Sequence, residues 1–79
     1  MAYHKTTITK GILGESSKIK EEFEEFFDAV EQNDIILQLC ELTDLYGAIE
    51  SYLESMGLTM EDLKKFSDKT KQAFKEGKR

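Results

Sequence analysis

Several features that mark common protein classes are missing from this chain of 79 residues. It has no proline, and its single cysteine, Cys40, excludes an intramolecular disulfide and fits a reducing cytoplasm. No uncharged run reaches the roughly 18 residues of a transmembrane helix, and the N-terminus lacks the apolar core of a signal peptide. A glycine-rich phosphate loop, a Ser–His–Asp set and a Cys/His zinc cluster are also absent. The sequence therefore predicts a cytoplasmic protein with no membrane partner.

The composition favours one small helical domain. Charged residues make up 34% and hydrophobic residues 39% of the chain, which is too apolar for a disordered protein. The net charge of −5 argues against a nucleic-acid polymer as partner, because phosphate binding needs a basic surface.

The most apolar stretch, residues 34–50, predicts a central helix that continues to Met56 and has two apolar faces. One face contains Ile35, Leu39, Leu42, Tyr46, Ile49 and Leu53. The other carries Leu37, Ala48 and Tyr52 together with Glu41 and Asp44. These two carboxylates are spaced i, i+3 with no basic residue nearby, so their charges are costly unless a cation neutralises them. Cys40, inside this helix, is expected to be a buried packing thiol.

A first helix is predicted to begin near Glu15 or Ser16, with Ser16 as its cap. Its apolar stripe consists of Ile19, Phe23, Phe26, Phe27 and Val30. A second stripe consists of Lys18, Glu22, Glu25 and Ala29, while Glu21 and Glu24 are predicted to face outward. Taken alone, this segment is an amphipathic helix with a solvated acidic face.

A third helix is predicted after Gly57, which suits the left-handed position that follows a helix. Thr59 is its predicted N-cap, paired with Asp62 in a capping box. The predicted inward face consists of Leu63, Phe66, Thr70, Ala73 and Phe74.

The predicted organisation is an N-terminal arm over residues 1–14 and a single helical domain over residues 15–79. β-Branched residues and two glycines in the arm favour irregular or briefly extended backbone. His4 is the only histidine of the chain, and a terminal histidine of this kind is expected to be exposed and without a functional role.

A short polar break, residues 32–34, separates the first two helices, and Asn33 or Asp34 is predicted to cap the central helix. So short a connection predicts an antiparallel pair. The i, i+3 pair Glu22 and Glu25 can then face Glu41 and Asp44 across the helix contact. Four converging carboxylates predict a site for a hard divalent cation, Mg²⁺ or alternatively Mn²⁺.

Two motifs resemble those of a known family. Residues Glu21 to Glu25 match an E-E-x-x-E motif, and Glu41 to Asp44 match E-x-x-D at a suitable distance downstream. Together they resemble the MazG-like all-α nucleotide pyrophosphohydrolases, and the C-terminal segment resembles the tail of small phage-type members. The resemblance covers about residues 11–79. The chain is short for this group, several of whose members have four or more helices.

The resemblance implies Mg²⁺-dependent cleavage of an NTP or dNTP to a nucleoside monophosphate and pyrophosphate. The metal ligands that it implies are Glu22, Glu25, Glu41 and Asp44. Glu21 matches a further acidic position that orients or deprotonates water. Residues that could reach the triphosphate are Lys18, Lys71, Lys75, Lys78 and Arg79, although an ion pair with Glu22 explains Lys18 equally well and a solvated basic face explains the tail.

The two apolar faces of the central helix predict a homodimer or homotetramer, in which four-helix-bundle packing is completed between subunits. Two other function classes remain open. The chain can be an acidic helical interaction module without enzymatic activity, or a regulator of phage origin that binds nucleotide without hydrolysis.

Overall fold

The protein, represented by a computed structural model that describes residues 4–77, is all-α. The three helices are α1 (Ser16–Glu31), α2 (Ile35–Ser55) and α3 (Met60–Lys75), and the described residues contain no strand. The predicted fold class is therefore confirmed. None of the helices in residues 4–77 combines the length and the apolar character that a membrane span requires.

α1 begins at Ser16, within the predicted range, but its cap differs from the prediction. The N-cap is Glu15, in extended backbone and without a side-chain capping bond. Ser16 was predicted to be the cap but already lies within the first turn, so that prediction was wrong. Ser17 instead accepts a hydrogen bond from the backbone N–H of Ile12 at 3.0 Å, which ties the preceding arm to the helix.

A tight turn joins α1 to α2. Asn33 adopts a positive φ of 55°, and Asp34 caps α2 by accepting a hydrogen bond from the backbone N–H of Leu37 at 2.9 Å. The predicted capping by residue 33 or 34 is thus confirmed. In the described part of the chain, α1 and α2 form the one extensive helix–helix contact. Ala29 and Ala48, both buried, allow close approach of the two helices.

The predicted link between α2 and α3 is confirmed. Gly57 adopts φ 77°, the left-handed conformation that glycine accommodates without steric cost. Thr59 and Asp62 form a capping box, with the backbone N–H of Thr59 donating to Asp62 Oδ2 at 2.9 Å. α3 therefore begins directly after Thr59, the N-cap that the capping box predicts.

Most apolar side chains remain uncovered within one chain. Ile35 and Leu39 on α2 are 79% and 62% exposed. α3 contains no buried residue, and Phe66 and Phe74 on its predicted inward face are 69% and 60% exposed in the single chain. These surfaces are where the predicted oligomer would form, and that assembly stays a prediction.

Candidate metal centre

Four carboxylates meet where α1 crosses α2. Glu22 and Glu25 project from α1, and Glu41 and Asp44 project from α2. Each offers an oxygen, and these four oxygens all lie within 4.8 Å of one another. The antiparallel pairing brings together the two i, i+3 pairs, and we call this group the carboxylate cluster.

Burial makes the charge of the cluster unfavourable. Desolvation, followed by Glu41, raises the pKa of Glu25 above the ordinary value. Desolvation also raises the pKa of Glu22, where the effect of Glu25 adds to it and the bond from Lys18 opposes it. Partial desolvation and the charge of Glu22 also raise the pKa of Asp44, although this residue lies at the exposed edge. The charge that raises the pKa of Asp44 is thus on the opposite helix.

Two oxygens of the cluster have unmet bonding capacity. Glu22 Oε2 and Glu41 Oε2 are both buried and accept no hydrogen bond. An unpaired buried carboxylate oxygen is costly, and a cation removes that cost. A donor set made only of carboxylate oxygens fits a hard divalent cation such as Mg²⁺ or Mn²⁺.

Lys18 lies one turn before the cluster on α1. Its Nζ lies 3.1 Å from Glu22 Oε1 and 3.1 Å from Glu21 Oε1. The bond to Glu22, followed by the bond to Glu21, raises the pKa of Lys18. Lys18 therefore compensates part of the negative charge beside the cluster.

Glu21 does not face outward, and that prediction was wrong. It is only 2% exposed because the N-terminal arm folds over its side of α1. Its Oε1 accepts hydrogen bonds from the backbone N–H of Gly11 at 2.8 Å and from Lys18 at 3.1 Å. Burial alone would raise the pKa of Glu21, but these bonds outweigh it and lower the value. Glu24, by contrast, is exposed as predicted.

The arm approaches α1 closely at Gly11. A Cβ atom at this position would overlap the backbone of Ser17 and Lys18. Only glycine lets the arm come near enough for its backbone N–H to reach Glu21. Residues 4–14 contain no helix or strand, so side-chain acceptors on α1 supply much of their hydrogen bonding.

His4 was expected to be exposed and without a role, and the exposure was wrong. Its side chain is 16% exposed and lies against the cluster. Nδ1 lies 2.8 Å from Asp28 Oδ2, and Nε2 lies 3.2 Å from Glu41 Oε1 and 3.9 Å from Glu25 Oε2. Burial favours the neutral ring, but the bond to Asp28 and the charges of Glu41 and Glu25 outweigh it, so the pKa of His4 is raised.

Asp28 is a functional candidate that the motifs did not mark. It is buried, and besides His4 it accepts hydrogen bonds from the Lys5 backbone, the Thr6 hydroxyl and the Gln32 amide at 3.2, 3.0 and 2.8 Å. Although burial opposes ionisation, these donors lower the pKa of Asp28 to about 2. Its i, i+3 spacing from Glu25 was the available signal.

A cleft of about 840 Å³ opens beside the cluster, between the arm and the first half of α2. Glu25, Glu41 and Asp44 line it on one side, and apolar side chains such as Ile8 and Leu37 line it elsewhere. Cys40 also lines this cleft and is exposed, so the predicted buried packing thiol was wrong.

The basic residues of the tail are not part of this cleft. Lys71 and Lys75 are exposed on α3, and neither lines it. Lys78 and Arg79 lie outside the described residues.

Comparison with known proteins shows the family of the chain. The sequence model of the family described as phosphoribosyl-ATP pyrophosphohydrolase matches residues 2–74, which include the arm and both helices that carry the carboxylate cluster. No curated protein and no solved structure matches the chain.

Proposed function

Because the chain belongs to the phosphoribosyl-ATP pyrophosphohydrolase family, one of the MazG-like all-α pyrophosphohydrolases that its motifs resemble, we propose that it hydrolyses a nucleoside triphosphate between the α and β phosphates. The products are a nucleoside monophosphate and pyrophosphate, and the cofactor is Mg²⁺, with Mn²⁺ as a substitute.

The observation that carries this proposal is the pair of buried, unpaired oxygens of Glu22 and Glu41 within a group of four carboxylates. A stable protein has little reason to bury such a group unless a cation neutralises it. When bound, a divalent cation supplies neutralisation of phosphate oxygens and a lowered pKa for water.

The carboxylate cluster and Lys18 have different roles in this proposal. Glu22, Glu25, Glu41 and Asp44 hold the cation and so fix the position of the triphosphate. Lys18 is close enough to Glu22 to exchange that partner for a phosphate oxygen when substrate enters.

Glu21 is assigned a positioning role rather than a direct one on water. Both of its oxygens lie near donors of the arm and α1, with Oε1 bonded to Gly11 and Lys18, and Oε2 3.5 Å from the Nζ of Lys10. Glu21 therefore keeps the arm beside the cleft and holds Lys18 in place.

The cleft and the family support a nucleotide substrate. A cleft of about 840 Å³ is within the size range of small-molecule sites, roughly 300–1,000 Å³. Ordinary NTPs and dNTPs are the first candidates. Phosphoribosyl-ATP is the second, because the family is named for it and it carries the same triphosphate.

A product assay tests the proposal. The protein is incubated with NTPs, dNTPs and phosphoribosyl-ATP in the presence of Mg²⁺ or EDTA, and pyrophosphate and monophosphate are measured. We expect both products only with Mg²⁺, loss of turnover in Glu41→Gln, and retention in Glu24→Gln, whose side chain is exposed on α1. Orthophosphate and a nucleoside diphosphate would show that a different bond is cleaved.

The assay also separates the other function classes. An interaction module predicts no Mg²⁺ dependence of any measured activity. A nucleotide-binding regulator predicts calorimetric binding of a non-hydrolysable triphosphate with no product formed. Absence of both turnover and binding across the panel would overturn the proposed function.

A further inference from the structure

His4 adds a nitrogen donor beside the carboxylate cluster. Its imidazole, Glu25 and Glu41 each offer a ligand atom, and these three atoms all lie within 4.8 Å of one another. This set shares Glu25 and Glu41 with the cluster but includes neither Glu22 nor Asp44. The shared carboxylates therefore face two different groups of donors.

Asp28 orients the imidazole of His4 through the ring nitrogen Nδ1. Nδ1 lies 2.8 Å from Asp28 Oδ2, and Asp28 is itself held by the Lys5 backbone, Thr6 and Gln32. A carboxylate that accepts a hydrogen bond from one ring nitrogen fixes the tautomer that leaves the other nitrogen free to bind a metal. In this tautomer, the lone pair of Nε2 is on the side of Glu25 and Glu41.

Glu41, which the two groups share, also has an oxygen without a partner. Glu41 is 6% exposed, and its Oε2 is buried without a hydrogen-bond partner. Its Oε1 lies 3.2 Å from His4 Nε2. One oxygen of this carboxylate thus lies beside the Nε2 lone pair of His4, where one cation can contact both, and the other oxygen has unmet bonding capacity.

We propose that His4, Glu25 and Glu41 form a second divalent-cation site, with one nitrogen and two carboxylate donors, that prefers Mn²⁺, Co²⁺ or Zn²⁺ over Mg²⁺. Imidazole suits these transition-metal ions, whereas Mg²⁺ takes oxygen ligands and dehydrates reluctantly. The site relies on the proposed cation-binding role of Glu25 and Glu41, but not on hydrolysis.

The single histidine makes a direct spectroscopic test possible. Wild-type protein without a polyhistidine tag is loaded with Mn²⁺ in an imidazole-free buffer and studied by electron spin-echo envelope modulation. Because His4 is the only histidine, imidazole ¹⁴N coupling to Mn²⁺ can come only from His4. We expect that coupling in wild type and its loss in His4→Gln. Bound Mn²⁺ without ¹⁴N coupling would overturn the inference and leave the proposed function intact.

Calorimetry measures the preference of the second site for Mn²⁺ over Mg²⁺. In His4→Gln we expect Mn²⁺ affinity to fall by about tenfold or more and Mg²⁺ affinity to change by less than about threefold. Asp44→Asn is the matched variant, because Asp44 belongs to the carboxylate cluster and not to the His4 set. It should weaken Mg²⁺ binding and retain the ¹⁴N coupling.

Two results would contradict the second site. An equal loss for Mn²⁺ and Mg²⁺ in a folded His4→Gln protein would mean that the imidazole only positions Glu41. Failure of wild type to bind any divalent cation would overturn both this site and the proposed function. If His4→Gln does not fold, as judged by circular dichroism, the wild-type Mn²⁺ spectrum still decides the question.

Discussion

We expect Asp44→Asn to be at least as stable as wild type without metal. When Mg²⁺ is added, wild type should become the more stable protein. The substitution keeps nearly the same volume and removes one charge of the carboxylate cluster. Asp44 lies at its exposed edge, across from Glu22. The exchange therefore changes electrostatics far more than packing.

Without metal, the mutant should be at least as stable as wild type. At 4.8 Å, the upper limit of the separations within the cluster, two unit charges repel by roughly 0.9 kcal/mol in water and about 3.5 kcal/mol at an effective dielectric of 20. The exposure of Asp44 favours the lower figure. A relief of about 1 kcal/mol would raise Tm by roughly 4–8 °C in a domain of this size.

With Mg²⁺ the order should change. A ligand at a hundredfold excess over its Kd stabilises the folded state by about 2.7 kcal/mol, which corresponds to a rise in Tm of more than about 10 °C. If the loss of one charged ligand raises the Kd about 30-fold, the same Mg²⁺ concentration stabilises the mutant by only about 0.9 kcal/mol. Wild type should then gain about 2 kcal/mol more than the mutant.

The measurement is thermal melting of wild type, Asp44→Asn and Glu24→Gln, each at one protein concentration, with EDTA and with millimolar Mg²⁺. Glu24 is exposed on α1 and outside the cluster, so its variant should follow wild type in both conditions. Equal gains from Mg²⁺ in wild type and Asp44→Asn would show that this carboxylate does not bind the metal, and the reasoning from charge would fail.

Three further predictions concern the arm, a helix cap and the assembly. Gly11→Ala should detach the arm from α1, because a Cβ atom at residue 11 would overlap the helix backbone. Faster tryptic cleavage within residues 4–14 would reveal this. The control is Gly47→Ala, which has open space at its Cβ and should leave the cleavage rate unchanged. The hydrogen bonds of Thr59 lower the pKa of Asp62, so the stability that this carboxylate contributes is present above its ordinary value of 3.8 and is lost as pH falls through the lower folded value. A carboxyl ¹³C titration by NMR should show this pKa rising part of the way back in Thr59→Ala, since the backbone N–H of residue 59 still donates; an unchanged value would contradict the assignment. Light scattering of wild type should give the mass of a dimer or tetramer. Leu39→Glu, on the exposed apolar face of α2, should reduce the mass of that assembly. A wild-type monomer at micromolar concentration would refute the predicted assembly.

Local patterns in the sequence were enough to predict the helix ends with side-chain caps. Asp34 caps α2 through Leu37, and Thr59 and Asp62 cap α3, as their spacing predicts. The cap of α1 was mistaken because Glu15 provides no side-chain bond and Ser16 is already helical. Where a cap uses a bond within three residues, the sequence contains all the required information.

The carboxylate cluster was also predictable in outline. Helical periodicity placed Glu22 with Glu25 and Glu41 with Asp44, and the short turn predicted antiparallel helices. The structure brings all four within one group, as expected from that geometry. Periodicity did not show that Phe23 and Phe27, in the apolar stripe of α1, remain about half exposed in the single chain.

The sequence by itself determined the all-α class, the capped helix ends and the two acidic pairs, because each depends on residues within about one helical turn or on a short connection. Only the tertiary structure decided that Glu21 is buried and that His4 reaches the cluster. The bonds of His4 to Asp28 and Glu41 span 24 and 37 positions in the chain. They depend on the path of an arm without regular structure, which packs on α1 because Gly11 permits close approach and because Glu21 and Asp28 accept its hydrogen bonds. No periodic pattern encodes such a path, since it results from contacts between distant side chains.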